Sequence, residues 1–236
     1  MKISLCIPMY NESEIIDSTL SAVSEYMHRT FEDYEVIFCD DGSVDDCRAK
    51  VQAFGDEHVR AVGYEKNRGK GAAVRHAVMC ATGDIIIFTD CDLAYGLDVI
   101  GRAVGEFDKN KDADIVVGSR NLSKDGYEGY TLLRKLASKA YIKCLALSVG
   151  FNLTDSQCGF KAFRGDTAHE IFEKCTTDGF AFDIEVLLRA KRLGKRIAEM
   201  PVKIVNHRES KVHMLSDSIK MLGQVRRIKK QLRATK

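Results

Sequence analysis

The 236-residue chain has no tryptophan and only two prolines, Pro8 and Pro201. With no internal repeat or low-complexity stretch, this excludes a proline-rich or repetitive chain. No apolar run approaches the roughly 18 residues of a membrane span. No secretory leader precedes the first strand-like run, MKISLCIP, and the eight cysteines form no C-x-x-C pair. Both point to reduced, mostly buried thiols in a cytoplasmic protein rather than a disulfide scaffold or a zinc site. What is present is ordinary for a soluble globular chain, 45% hydrophobic and 30% charged residues, with enough length to bury a sizeable core.

Charge is unevenly spread. From Met214 onward there are seven Lys/Arg and one acid, Asp217, which leaves the body with 29 basic and 33 acidic residues, a net −4. A basic tail on an acidic body suits an anionic surface. The tail carries apolar residues at 215, 219, 222, 225, 228 and 232, a helical stripe. Two readings fit it: a helix lying on an anionic membrane, or a helix packed on the domain with a charged outer face. Nothing in the pattern points to nucleic acid.

Strand-like and helix-like segments alternate through the first half. Strands are predicted at 2–7, 34–39, 59–64, 85–89 and 113–117, and helices at 12–29, 44–54, 71–81 and 97–108, the first with Asn11 as N-cap. Repeated βα units imply a mostly parallel sheet with helices on both faces. Beyond it, 119–129 reads as a mobile loop, 130–149 as a long helix, 152–164 as turn-rich, 182–193 as a helix and 196–205 as a strand. No linker separates two domains.

In an open parallel sheet, ligands bind beyond the carboxyl ends of the strands. Each predicted strand end here carries polar groups: Pro8 to Glu12, Asp40 to Ser43, Asn67 to Gly71, Asp90 to Asp92, and Gly118 to Arg120. In IIIFTDCD, residues 85–92, a buried apolar run ends in two carboxylates at i and i+2. In extended chain those point the same way. Asp90 and Asp92 can then approach one hard cation, Mg²⁺ or Mn²⁺, that keeps sites open for a diphosphate. A D-x-D alone is more often a solvated turn; the strand-end setting favours the metal. The stretch Gly69-Lys70-Gly71-Ala72-Ala73-Val74 lacks the third glycine of a dinucleotide fingerprint. It reads as a tight turn whose N–H groups and Lys70 face an anion.

IPMYNE at 7–12, DDGSVD at 40–45, NRGKGAAV at 67–74 and DCD at 90–92 together resemble the nucleotide-sugar half of family-2, GT-A-type glycosyltransferases. GSR at 118–120, LLRKLASK at 132–139, DSQCGFKAF at 155–163, FAFDIEVLL at 180–188 and the Arg208–Lys211 segment narrow the resemblance to polyprenyl-phosphate sugar transferases. Dolichyl-phosphate β-glucosyltransferases are most similar and dolichyl-phosphate mannose synthases next, over roughly residues 3–222.

The resemblance implies a single-domain α/β GT-A fold with a C-terminal amphipathic helix. The nucleotide-sugar half would span 1–118, the acceptor half 119–213, and the basic tail 214–236. It implies inverting transfer of a hexose, UDP-glucose being favoured, to a polyprenyl or dolichyl monophosphate at the cytosolic membrane face. By motif, Pro8, Tyr10, Glu12, Asp40, Asp41, Lys70 and Asp90 would hold the nucleotide, and Asp90 and Asp92 the Mg²⁺ or Mn²⁺. Arg120, Arg134, Arg208 and Lys211 would grip the acceptor phosphate, and Asp155 would sit near the sugar and the attacking oxygen. Asp155, Asp92, Arg120 and Arg134 form the implied catalytic set.

There are departures. After the D-x-D, mannose synthases and many bacterial relatives carry Leu-Gln and a proline pair; here Leu93 is followed by Ala94, Tyr95 and Gly96. Eukaryotic glucosyltransferases carry an N-terminal membrane helix and many bacterial relatives C-terminal ones; neither is expected in this sequence, and the basic end, 215–236, could replace them at an anionic membrane surface. Asp183 and Glu185 read equally well as helix-start acids favoured by the dipole. Alternative functions are a GDP-mannose-using enzyme, a family-2 transferase with a hydroxyl acceptor, and a non-catalytic nucleotide-sugar-binding scaffold.

Overall fold

The computed structural model describes residues 1–127, 153–206 and 223–232. In chain order the elements are β1 (Ile3–Met9), α1 (Ile16–Thr30), β2 (Tyr34–Asp41), α2 (Cys47–Ala53), β3 (Val59–Tyr64), α3 (Lys70–Cys80), β4 (Ile85–Phe88), α4 (Asp98–Lys109), β5 (Ile115–Ser119), β6 (Lys161–Arg164), α5 (Gly165–Phe172), α6 (Phe182–Arg192) and β7 (Ile197–Pro201). Seven strands form one sheet in the order β3-β2-β1-β4-β6-β5-β7. Among the described strands only β6 runs antiparallel, between β4 and β5. Both halves of the chain therefore share one sheet and one α/β domain.

Period-two alternation builds a core on each face of the sheet. Ile3, Leu5, Ile7, Val36, Phe38, Ile85 and Ile87 point to the side covered by α1 and α4. Cys6, Ile37, Cys39, Ile86 and Phe88 point to the side covered by α3, α5 and α6. Strands buried on both faces read as continuous apolar runs for this reason. Among the described residues the cysteines are free thiols, all buried except the half-buried Cys80, and no helix is long and apolar enough to cross a membrane.

Four sequence expectations change. The first helix starts at Ile16, not Glu12, and its N-cap position is Ile15. Asn11 is no cap: it sits at φ +52°, its side-chain oxygen accepts from the Val44 N–H at 2.9 Å, and its own N–H donates to Ser43 Oγ at 2.9 Å. It joins two rim loops instead. The last strand stops at Pro201, well short of 205. The turn-rich stretch 152–164 ends in β6, a central strand whose Lys161 is wholly buried. The predicted helix at 130–149 lies outside the described residues; the loop predicted from 119 includes a single 3₁₀ turn, Arg120–Leu122.

The opposite edge of the sheet, away from the strand ends that carry the motifs, is tied by Glu35 of β2. Its carboxylate accepts from Ser4 Oγ at 2.7 Å, Thr82 N–H and Oγ1 both at 2.8 Å, and Arg60 Nη2 at 3.0 Å. Burial alone raises the carboxyl, but these hydrogen bonds outweigh it and hold the group down at about 2. A depressed folded-state value contributes stability above the ordinary glutamate range and loses it as pH falls toward 2. Urea unfolding stepped from pH 6 to pH 2 should show wild type losing on the order of 3 kcal/mol more than Glu35→Gln. Parallel pH profiles for the two proteins would remove Glu35 as the acid-labile tie.

Candidate active site

The carboxyl ends of β1, β2, β3 and β4 lie side by side, and the loops that leave them meet on one rim. Asp40 and Asp41 close β2, both buried, yet they do different work. The Asp41 carboxylate turns inward to the 64–69 segment. It accepts from Tyr64 Oη at 2.7 Å, Asn67 Nδ2 at 2.9 Å, the Arg68 N–H at 2.9 Å, and the Gly69 N–H at 2.9 and 3.0 Å. The anion faced by the backbone of the glycine turn is thus the protein's own. Asp40 accepts from the Ser43 N–H at 3.0 Å and lies 3.9 Å from Arg48. With Ser43, Arg48 and Tyr64 it lines an open hollow of about 370 Å³. Pro8 is half-buried and Tyr10 40% exposed at the end of β1.

The glycines of the turn serve packing. A Cβ on Gly71 would lie 2.6 Å from both Phe182 Cβ and the Thr177 carbonyl oxygen, and one on Gly69, at φ +112°, 2.6 Å from the Asp178 carbonyl oxygen. Their absence lets the 177–182 segment lie across the start of α3. That brings α6 to the rim.

Lys70, first residue of α3, makes a close ion pair with Asp90. Burial opposes its charge, but Asp90, Asp183 and Asp92 outweigh burial and hold Lys70 above its ordinary value. Asp92 is pushed up, first by burial and then by the charge of Asp90, against the Ala94 N–H that it accepts at 3.1 Å. The two carboxylates of the D-x-D are thus neighbours that repel. The turn carrying them is held by Thr19 Oγ1 on the Cys91 carbonyl oxygen at 2.9 Å and Asn206 Nδ2 on the Leu93 carbonyl oxygen at 3.0 Å. Gly159 abuts Asp90 so closely that any Cβ would collide with its carboxylate. The Gly159 N–H donates to Tyr95 Oη at 3.4 Å. Tyr95 is buried against the 158–159 turn.

Behind this cluster lies a second ion pair. Lys161 Nζ, wholly buried, is 2.5 Å from Asp183 Oδ1 and donates to the Cys158 carbonyl oxygen at 2.7 Å. Glu185 is also buried and accepts from Thr176 and Thr177 N–H and from Arg189. Neither acid is a solvated helix-start charge. Asp183 links the electrostatics of α6 to Lys70; Glu185 ties the 176–177 backbone.

At the end of β5, Arg120 pairs in bidentate fashion with Asp155. Nε is 2.6 Å from Oδ2 and Nη2 2.9 Å from Oδ1, and the Arg120 N–H lies 3.2 Å from Oδ2. Asp155 has no exposure at all. Its carboxylate is committed to holding Arg120, with no open face toward an attacking oxygen. Arg134, Arg208 and Lys211 lie outside the described residues.

Two carboxylates at 90 and 92 with hard oxygen donors suit a divalent ion that fills its remaining positions with phosphate and water. Among the described residues no group of three or more His, Cys, Asp or Glu could enclose a metal. The donor set fits a shared ion and no protein-enclosed one.

Residues 4–172 match the profile of Glycosyl transferase family 2. The chain is 30% identical over 241 residues to a dolichyl-phosphate beta-glucosyltransferase of Dictyostelium discoideum, covering 96% of this chain and 73% of that protein. It is 29% identical to a dolichyl-phosphate beta-glucosyltransferase of Trichomonas vaginalis, covering 96% and 72%. Among solved structures, glucosyl-3-phosphoglycerate synthase from Mycobacterium tuberculosis, in complex with Mn²⁺, UDP and glucosyl-3-phosphoglycerate, superposes with a TM-score of 0.69 at 21% identity, covering 96% of this chain and 78% of that one. That likeness carries the GT-A fold. The chain belongs to glycosyl transferase family 2 and is a glycosyltransferase, as the ordered motifs imply.

Proposed function

We propose that this family-2 enzyme transfers a hexose, with inversion, from a nucleoside diphosphate to a polyprenyl or dolichyl monophosphate, with UDP-glucose as the donor. One observation carries the choice of acceptor: Asp155 is fully buried and both its oxygens serve Arg120. A sugar or protein hydroxyl needs a general base to attack. A phosphate oxygen is already ionised near neutral pH. A site that commits this carboxylate to a guanidinium suits the second nucleophile. The names of the relatives from Dictyostelium and Trichomonas support the same acceptor. A solved neighbour in complex with UDP-glucose and Mn²⁺ supports the donor and a metal.

Asp40, with Ser43, Arg48 and Tyr64, offers the hollow for the base and ribose, and Pro8, Tyr10 and Glu12, at and after the end of β1, would hold the nucleotide from that side. Lys70 and the D-x-D face the diphosphate; Asp41 organises the loop that presents Lys70. Asp90 and Asp92 would hold Mg²⁺ or Mn²⁺, which supplies neutralisation of the leaving diphosphate. Arg120 binds the acceptor phosphate, because planar guanidinium matches phosphate oxygens. Arg134, Arg208 and Lys211 would complete that grip. The acceptor oxygen attacks C1 as the bond from C1 to the diphosphate breaks, so an α-linked donor gives a β-linked lipid phosphate. Residues 1–213 form the catalytic unit, with its division near 118, and 214–236 form the tail.

For membrane contact, the tail divides its labour. Within the helical residues 223–232, Val225 and Ile228 are buried against Ala181 and Ile184, with Leu232 and Leu188 at the edge. That part of the apolar stripe is used on α6, while Arg226, Arg227 and Lys230 stay exposed. The proposed contact with a cytosolic membrane face is therefore electrostatic in this stretch.

The test is direct. Purified protein with Mn²⁺ or Mg²⁺, polyprenyl phosphate in vesicles and a panel of nucleotide sugars should give one glycosylated lipid phosphate, read by mass spectrometry, from UDP-glucose. Product from GDP-mannose alone would replace the donor. Transfer only to hydroxyl acceptors would overturn the acceptor, and binding without any transfer would leave a scaffold.

A further inference from the structure

The sugar of a nucleotide-sugar donor must lie between the groups that hold its diphosphate and those that hold the acceptor. Here a single short segment joins the two. Asp155 at its start is locked to Arg120; Gly159 at its end abuts Asp90. Ser156 and Gln157 are the turn residues between them.

Among the described residues, both carry a side-chain atom with no hydrogen-bond partner. Ser156 is 1% exposed and its Oγ is buried and unbonded, and Gln157 Nε2 is buried and unbonded as well. Next to Arg120, Asn121 Oδ1 is in the same state while Asn121 Nδ2 donates to the Thr154 carbonyl oxygen at 2.6 Å. Buried polar atoms nearly always find a partner, so two consecutive ones left open ask for a ligand. The chemistry is that of a polyol: Nε2 donates to a hydroxyl oxygen, and Oγ both donates and accepts. The surroundings hold the turn still. Glu199 Oε1 accepts from Thr154 N–H at 2.8 Å and lies 3.3 Å from the Asp155 N–H, Tyr95 meets Gly159, and Lys161 holds the Cys158 carbonyl.

We propose that Ser156 and Gln157 read the hydroxyl groups of the donor's sugar and set which hexose the enzyme accepts. This deepens the glycosyl-transfer reading above and rests on it. A site built to hydrogen-bond a hydroxyl discriminates strongly against a sugar that lacks or misplaces it, since the protein atom is then left unpaired. The pair lies in sequence between Asp155, which holds Arg120, and Gly159, which abuts Asp90, so its effect is expected on the sugar rather than on the nucleotide.

The experiment compares wild type, Ser156→Ala and Gln157→Leu in the presence of Mn²⁺. Calorimetry gives the affinity for UDP and for UDP-glucose; initial rates are taken with UDP-glucose, UDP-galactose and the deoxy analogues of UDP-glucose. In both variants UDP affinity should stay within about twofold, the rate ratio between glucose and its epimer should fall at least tenfold, and one deoxy donor should become as good as the parent. Gln157→Asn, which keeps the amide but shortens its reach, should fall between. Unchanged donor ratios in active variants overturn the inference alone. An equal loss of UDP and UDP-glucose binding also overturns it, because the turn would then serve only as structure. Wild type that transfers no sugar from any donor overturns instead the reading on which it rests.

Discussion

Asp92→Asn should lower turnover at least a thousandfold while leaving the protein as stable as wild type or slightly more so. The two halves of that expectation have one cause. Asp92 is pushed up by burial and by Asp90, so its charged form is held against local repulsion. Asparagine keeps the shape and the Ala94 contact position and removes the repulsion. Under the proposed function it would also remove one of two anionic oxygen donors for the ion that neutralises the leaving diphosphate. Loss of about 4 kcal/mol of transition-state stabilisation corresponds to about a thousandfold in rate. Turnover, Mn²⁺ affinity and the melting temperature should be measured together. Turnover within tenfold of wild type, at saturating Mn²⁺, would sink the role. Loss of turnover with a collapsed melting temperature would instead make Asp92 a folding residue.

Lys161→Met should cost about 3–5 kcal/mol of stability, the usual loss when one partner of a buried pair is removed. Lys161 is wholly buried, and its ammonium holds Asp183 at 2.5 Å and the Cys158 carbonyl oxygen at 2.7 Å. Without it, Asp183 is left as an uncompensated buried acid. Asp183→Asn should likewise destabilise. The double variant should lose clearly less than the two single losses added together, since it removes both charges at once. Denaturant unfolding of the four proteins closes the cycle. Strict additivity would mean that the pair contributes no coupling. Activity carries a second consequence. Asp183 already acts on Lys70, so in Lys161→Met it competes with Asp90 for that ammonium, and the affinity for the nucleoside diphosphate should fall.

The parallel half of the fold was legible because its code is local. Apolar strands buried on both faces, each followed by a turn and an amphipathic helix, state their own class, and the rule that ligands gather at strand ends located the rim. The D-x-D was legible for the same reason: an apolar run that ends in two acids conflicts with a core. β6 was not. KAFR has a lysine and an arginine in four residues, and nothing near it in sequence says that the lysine is neutralised by Asp183, 22 positions on. Asn11 misled because the residue that caps a helix is also one that tolerates left-handed backbone, and here the second use won.

Which polar rim groups face the protein and which face the ligand was the other matter beyond local reading. Asp40 and Asp41 are adjacent and alike in sequence, yet one lines an open hollow and the other binds the 64–69 loop. Asp155 spends both its oxygens on Arg120, a pairing that neither motif states by itself. Such choices depend on what a carboxylate meets across the fold, since a buried charge must find a counter-charge or hydrogen bonds. The tail shows the same division: its helical stripe was plain from spacing, but whether lipid or α6 would cover residues 225–232 depended on an apolar face that only folding assembles. By itself, then, the sequence determined the family, the parallel half of the sheet and the strand-end rim, because those follow from periodicity and motif order. The tertiary structure decided which of the rim's charges are spent on the protein itself, because only in three dimensions do charges distant along the chain come within reach of one another.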